Sequence, residues 1–411
     1  MRRLSKILLA LGTISSIVLL AVARPAGPYL GSQLGAKVLA VGKGKISNPD
    51  LFISGRIFEA GLLLGFAILL VLACTYLFRK FKAGTNAWAP LAVCVFVACN
   101  LWLFAATKTC LFWVSLYTGS ATSNVTQFSF KKELLDEHRT PRQVILLGSS
   151  QTQAQIDENI LNNRLQGKLW TTELHFPGSH ALDMLLVLRR LRGEPGDQII
   201  CYLSEYYLYT GLHSTAAPYF ANISDISTLG HIGWRREMLT QQYAMGFLAN
   251  ALPIFACREP LSNRLLGTAM NSLEQVRHDS TLETNLVARA EENAAIFKVD
   301  RNSDLQKAAF EEFVAEASRQ KRRVILLEGG VNPILGSKIA PVVRADMHQF
   351  LQKIAREHSH VTLVPEKELP GQPPASYQDL THVTKEVQKE FSEWLAAYLE
   401  RQSGTNLARI N

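Results

Sequence analysis

Charged side chains are scarce in this sequence. Asp, Glu, Lys and Arg make up 19% of its 411 residues, below the ~25% usual for a soluble protein. The shortage falls in the first third, and the remainder reads as ordinary globular sequence. Acid is scarcer than base, 35 against 43, for a formal net charge of +8. The excess base is scattered in short groups such as Arg2-Arg3, Arg79-Lys80-Phe81-Lys82 and Lys321-Arg322-Arg323. A basic groove interleaved with aromatics is absent, so no nucleic-acid partner is expected. The charge fits mild attraction to anionic lipid or envelope polymers. Cysteine is also sparse: Cys74, Cys94, Cys99 and Cys110 lie in or beside apolar runs, and Cys201 and Cys257 are far apart. That pattern excludes a disulfide framework and reads as small buried hydrophobes. Cys and His never fall at metal-ligand spacing, and no cofactor is expected. Internal repeats and low-complexity tracts are missing too.

Long apolar runs are what the first third has instead. Residues 7–23 follow the basic start Met1-Arg-Arg-Leu-Ser-Lys6, and further runs cover 57–78 and 87–106. Each has about the 20 residues needed to cross ~30 Å of hydrocarbon, where only a helix satisfies its own backbone. The first segment reads either as a transmembrane helix or as a signal peptide cleaved near Ala21-Val-Ala23. The link Arg79–Lys82 has three positive charges and no acid, which keeps it cytoplasmic and sends the third helix outward. Lys37, Lys43 and Lys45 in the first loop run mildly against this orientation. The expectation is a multi-pass protein of a bacterial inner membrane. Residues 1–120 form its transmembrane region, 121–140 a linker, 141–402 a periplasmic or extracellular domain, and 403–411 a tail.

From Pro141 strand and helix signals alternate. Strands are expected at 144–147, 172–176, 198–203, 323–328 and 361–364. Helices are expected after Ser150 through Leu161 and at 181–191, 305–319, 342–357 and 385–400. Short apolar strands separated by helices of 10–15 residues imply βαβ crossovers and a parallel sheet covered on both faces. Five strands on this plan make a three-layer α/β/α, flavodoxin-like domain. The pattern pauses at about 206–302, read as a helical insert over the carboxyl ends of the strands, with helices near 235–252 and 261–276.

Active groups in a parallel sheet gather beyond those carboxyl ends. Three loops there carry candidate chemistry: Gly148-Ser149-Ser150-Gln151-Thr152 after strand one, Phe176-Pro177-Gly178-Ser179 after strand two, and Tyr377-Gln378-Asp379-Leu380-Thr381-His382 before the last helix. A serine hydroxyl needs a neighbouring imidazole to take its proton, and an acid to orient that imidazole. Ser150, His382 and Asp379 supply those three types.

This order resembles the SGNH, or GDSL-like, hydrolase superfamily, in which the nucleophilic Ser ends strand one and Asp-x-x-His precedes the final helix. The likeness spans about residues 140–402, interrupted by the insert. It implies Ser150 as nucleophile, His382 as base, Asp379 as orienting acid and Gly178 as the oxyanion-hole glycine. Two departures stand out. Ser149 replaces the family's acidic residue, and the usual Gly-x-Asn-Asp after strand three gives way to Ser204-Glu205-Tyr206-Tyr207. The loop Gly330-Val331-Asn332-Pro333 is similar to loops of membrane-anchored relatives such as the D-alanyl transfer protein of teichoic acid synthesis. Asn332 reads equally as a substrate contact or as a cap on the next turn. Ser149, Asn332 and Glu205 are placed with Gly178 as oxyanion or substrate contacts. Glu205 and His180 read as structural or as partners for substrate hydroxyls. The resemblance implies a membrane-anchored serine esterase or O-acyltransferase acting on an acylated envelope or exported polysaccharide, with the lipid bilayer and a membrane polysaccharide-synthesis complex as partners. The competing expectation is a catalytically inactive accessory protein of such a complex.

Overall fold

The computed structural model describes residues 142–407, apart from 166–167, 192–196, 215, 238–242, 245 and 249–285. The three apolar runs, the linker and the helix expected at 261–276 lie outside the described residues. Among the described residues no helix is long and apolar enough to cross a membrane.

Five strands form one sheet in the order β2-β1-β3-β4-β5, with every pairing parallel. They are β1 Arg142–Gly148, β2 Leu169–His175, β3 Gln198–Leu203, β4 Arg323–Glu328 and β5 Val361–Val364. This is the flavodoxin-like order, in which the chain leaves β1 toward one edge and resumes at β3 toward the other. The loops after β1 and β3 therefore diverge and leave a crevice at the carboxyl end of the sheet.

The apolar runs of β1, β3 and β4 are continuous because both of their faces are covered. Val144, Leu146, Ile200, Tyr202, Ile325 and Leu327 share a cluster with Ile156, Leu161, Phe391, Leu395 and Leu399. Those partners belong to or flank α1 Ser150–Gln155, α2 Glu158–Arg164 and α11 Lys385–Leu407. The alternate residues Ile145, Ile199, Cys201, Val324 and Leu326 are also fully buried. They face the opposite layer, built from α3 Ala181–Leu188, α8 Arg301–Arg319 and α10 Pro341–Glu357. Burying one such aliphatic side chain contributes about 1.5–3 kcal/mol, against about 0.5–1.5 kcal/mol net for a hydrogen bond. Side-chain packing, more than rim hydrogen bonding, holds the centre of the sheet.

The expected helix after β1 is two helices. Ile156 is extended, and the Asp157 carboxylate accepts from Asn159 N at 2.8 Å to start α2 afresh. Helix α8 begins four residues earlier than its apolar pattern indicates, because Asp300 caps it by accepting from Asn302 N and Ser303 N. In the insert, α4 Tyr206–Tyr209, α5 Ala217–Phe220, α6 Ile226–His231 and α7 Leu286–Ala294 are helical. Lys298 N donates to Tyr209 O at 3.1 Å, and the Tyr206 ring meets Phe297 edge-on at 5.1 Å. Both ends of the insert are thus tied together beside the end of β3.

Candidate active site

Gly148 closes β1, Ser149 is extended, and α1 begins at Ser150. The turn between them is locked from beneath by Tyr207, which is fully buried. Ser149 N donates to the Tyr207 hydroxyl oxygen at 2.6 Å, and that hydroxyl donates to Ser149 Oγ at 2.9 Å. Thr152 Oγ1 lies 3.0 Å from the same oxygen. A Cβ on Gly148 would come within 1.9 Å of Thr152 Oγ1 and 2.7 Å of the Tyr207 oxygen. Glycine is required here for space. Ser149 Oγ accepts from Gln151 N at 3.2 Å as the N-cap of α1, a position that favours Ser.

The buried Ser149 therefore sets the geometry of its neighbour and does not face substrate. Ser150, partly exposed, takes the first helical position, whose N–H has no intrahelical acceptor. Its hydroxyl lies 2.9 Å from His382 Nε2. His382 Nδ1 lies 2.7 Å from Asp379 Oδ2, and Asp379 Oδ1 accepts from Thr381 N and His382 N, each at 2.7 Å. With Nδ1–H donating to the carboxylate, Nε2 is left to accept the Ser150 proton. Ser150, His382 and Asp379 are brought together in hydrogen-bonded sequence across 232 residues of chain.

Burial pushes the Asp379 carboxyl up. The hydrogen bond and charge of His382, with the backbone N–H groups of Thr381 and His382, outweigh that and hold it below the usual carboxylate range. The acid stays ionised where the imidazole needs it. Side-chain exposures of 27% for His382 and 31% for Asp379 leave the pair open to solvent on one side.

Asn332 is the brace of this loop. It is buried; its Oδ1 accepts from Ile334 N at 3.0 Å, its Nδ2 donates to Asp379 O at 3.0 Å, and its backbone N donates to Leu380 O at 3.1 Å. The cap, on α9 Pro333–Gly336, is the realised alternative. The side chain is 2% exposed, which keeps it from the surface a substrate would reach.

Glu205 also departs from expectation. It is buried, and its Oε1 accepts from Arg344 Nε and Nη2, each at 2.8 Å. His180 is structural as well: it sits at the N-cap of α3, and its Nε2 lies 2.8 Å from Thr210 Oγ1. Burial lowers its proton affinity, partly opposed by Asp183.

Gly178, itself exposed and at φ +70°, turns the loop after β2. Phe176 N donates to Gly148 O at 3.0 Å, so this loop starts beside the one that carries Ser150. Gly178 N–H has no acceptor among the described residues. Two unengaged N–H groups, of Ser150 and Gly178, thus belong to adjacent loops. Backbone donors of this kind can hold an oxyanion when aimed at it.

Three further residues matter. Tyr207 clamps the turn that carries Ser150. Tyr206 has its phenol raised first by burial and then by the charge of Asp379, which places it near the acid. Gln151 accepts at Oε1 from Ser204 Oγ at 2.5 Å, tying the turn to the end of β3. The adjacent tyrosines two residues beyond a buried strand were the available signal for the first two, whereas Gln151 left none. The one described cysteine, Cys201, is buried in β3 and unpaired. No group of three or more His, Cys, Asp or Glu able to hold a metal occurs among the described residues. Neither a protein-family model nor a curated protein matches this chain, so its chemistry has to be read from its own geometry.

Proposed function

We propose that this protein is a serine esterase or O-acyltransferase of SGNH-like type, anchored in a bacterial inner membrane, that acts on an acylated polysaccharide outside the cytoplasm. The observation that carries the reading is the run of contacts from Ser150 Oγ to His382 Nε2 and from His382 Nδ1 to Asp379 Oδ2, at 2.9 and 2.7 Å. His382 takes the serine proton as Ser150 Oγ attacks the ester carbonyl, and Asp379 stabilises the imidazolium that results. The alkoxide of the substrate then leaves with that proton. Water or a sugar hydroxyl, deprotonated by the same imidazole, releases the acyl group in the second half-reaction. The N–H groups of Ser150 and Gly178 suit the oxyanion, each donor contributing about 3–4 kcal/mol. The outward placement rests on the apolar runs and on the base at Arg79–Lys82.

The test is turnover of 4-nitrophenyl acetate by the full-length chain in detergent. Ser150→Ala should lower it at least 10³-fold while leaving the unfolding midpoint unchanged. Unaltered turnover would discard the mechanism. The accessory reading is favoured by one feature: the Gly-x-Asn-Asp element expected after strand three is replaced by Ser204-Glu205-Tyr206-Tyr207, which supplies no Asn donor. A fluorophosphonate probe separates the two, since an unlabelled Ser150 in the folded protein supports the accessory role.

A further inference from the structure

Beyond the ends of β3, β4 and β5 lies a cavity of about 360 Å³, lined among others by Tyr202, Gly330, Arg344, Glu366, Gln372 and Tyr377. It lies at the small end of the range for ligand pockets and has room for about a dozen waters at ~30 Å³ each. The loop that carries the acid and base also walls this cavity. Tyr377 precedes Asp379 by two residues, and the lining residues Val331 and Pro333 flank Asn332, whose Nδ2 holds the Asp379 carbonyl at 3.0 Å.

We propose that this cavity binds one residue of an uncharged saccharide, seating the polymer whose acyl group reaches Ser150. The substrate class rests on the function proposed above; the charge and shape do not. One guanidinium, Arg344, faces two carboxylates: Glu205 at 2.8 Å, and Glu366, close enough to raise the Arg344 pKa further. The local balance is negative, which disfavours a uronate or phosphate.

The polar groups are also mixed in kind, as a sugar hydroxyl, both donor and acceptor, requires. The Glu366 carboxylate, on the cavity wall, accepts no protein hydrogen bond among the described residues. Tyr377 donates to Gln372 Oε1 at 2.9 Å. Burial and the nearby carboxylates push its phenol up to about 12, so it stays protonated and holds the Gln372 amide in place, whose NH₂ is the donor on this wall. Glycines keep the walls open. A Cβ at Gly336 would stand 3.2 Å from Arg344 Nη2, and one at Gly330 would stand 3.5 Å from Glu366 Oε1.

Gly371 supplies a clean test. It lines the cavity, its φ is not in the left-handed region, and a Cβ there meets nothing within 4 Å. Gly371→Trp therefore adds bulk at the cavity wall without meeting neighbouring atoms at its Cβ. Calorimetric titration of the full-length chain in detergent would use cellotetraose and chitotetraose as neutral probes and tetragalacturonate as the acidic one. Neutral saccharide should bind, and the uronate at least tenfold more weakly. Gly371→Trp should weaken the neutral probes at least tenfold and leave the unfolding midpoint unchanged. The inference is overturned if neither neutral probe binds, if the uronate binds as well, or if Gly371→Trp changes nothing. Ser150→Ala should keep saccharide binding intact. If that variant instead keeps its ester turnover, the hydrolase reading fails while the cavity result stands on its own.

Discussion

Replacing Asp379 by Asn exchanges one carboxyl oxygen for an amino group and should separate the two tasks of this side chain. Oδ1 accepts from the backbone N–H groups of Thr381 and His382, each at 2.7 Å, and so shapes the loop. Oδ2 accepts from His382 Nδ1 at 2.7 Å and so sets the tautomer. Asn keeps the first oxygen and presents an NH₂ at the second. The imidazole must then offer a lone pair at Nδ1 and carry its proton on Nε2, where it faces Ser150 as a donor and cannot take the serine proton. The expected loss in kcat/KM is roughly 10³–10⁴-fold, the scale of a wrong tautomer in a serine triad. That corresponds to about 4–5.5 kcal/mol at 1.36 kcal/mol per tenfold. Loop stability should fall by no more than about 1 kcal/mol, because both backbone bonds survive. Asp379→Ala should lose the same activity and, in addition, about 1–2 kcal/mol, with solvent at the 31% exposed site rescuing part of the orphaned N–H groups. The assay is 4-nitrophenyl acetate turnover beside urea unfolding followed by tryptophan fluorescence. If Asp379→Asn stays within tenfold of the parent, or is destabilised as much as the Ala variant, the assignment of the two oxygens is wrong.

Tyr207→Phe removes one hydroxyl that serves Ser149 N, Ser149 Oγ and Thr152 Oγ1 in a fully buried site. Its loss should cost about 2–4 kcal/mol in urea unfolding and lower turnover through a misplaced Ser150; a cost below about 0.5 kcal/mol would refute the clamp. Alkaline pH should weaken the fold. Burial raises the phenols of Tyr202, Tyr207 and Tyr377, the last to about 12. A folded pKa above the unfolded value of ~10 means the contribution is intact below pH 10 and lost as pH climbs toward 12. Urea midpoints at pH 9 and 11 should show the drop, and an equal or higher midpoint at pH 11 contradicts it.

The elements were legible where the code is local. The runs Val144–Leu147, Gln198–Leu203 and Arg323–Glu328 read as buried strands because a sheet covered on both faces needs unbroken apolar stretches. Where a single polar side chain ends or restarts an element, apolar periodicity misplaced the boundary: Asp157 starts α2 and Asp300 starts α8. Asp379 and His382 could be paired from spacing, since three residues place them on one turn.

The cap at Asn332 was one of two readings open in the sequence, but its hold on the Asp379 loop and the roles of Ser149 and Glu205 were not legible. Each is a buried polar group whose task is set by a distant partner: Tyr207 at 58 residues, the Asp379 carbonyl at 47 and Arg344 at 139. Strand order, Gly148 as a position without room for a side chain, and the carboxyl-end cavity likewise emerge only once β1, β3 and β4 lie side by side. The sequence by itself determined the parallel α/β plan and which residue types could carry the chemistry, because hydrophobic periodicity acts over a few residues. Only the tertiary structure decided which polar groups face a substrate and which brace the loops. Desolvation obliges every buried donor and acceptor to find a partner, and no local pattern in the chain says where that partner is.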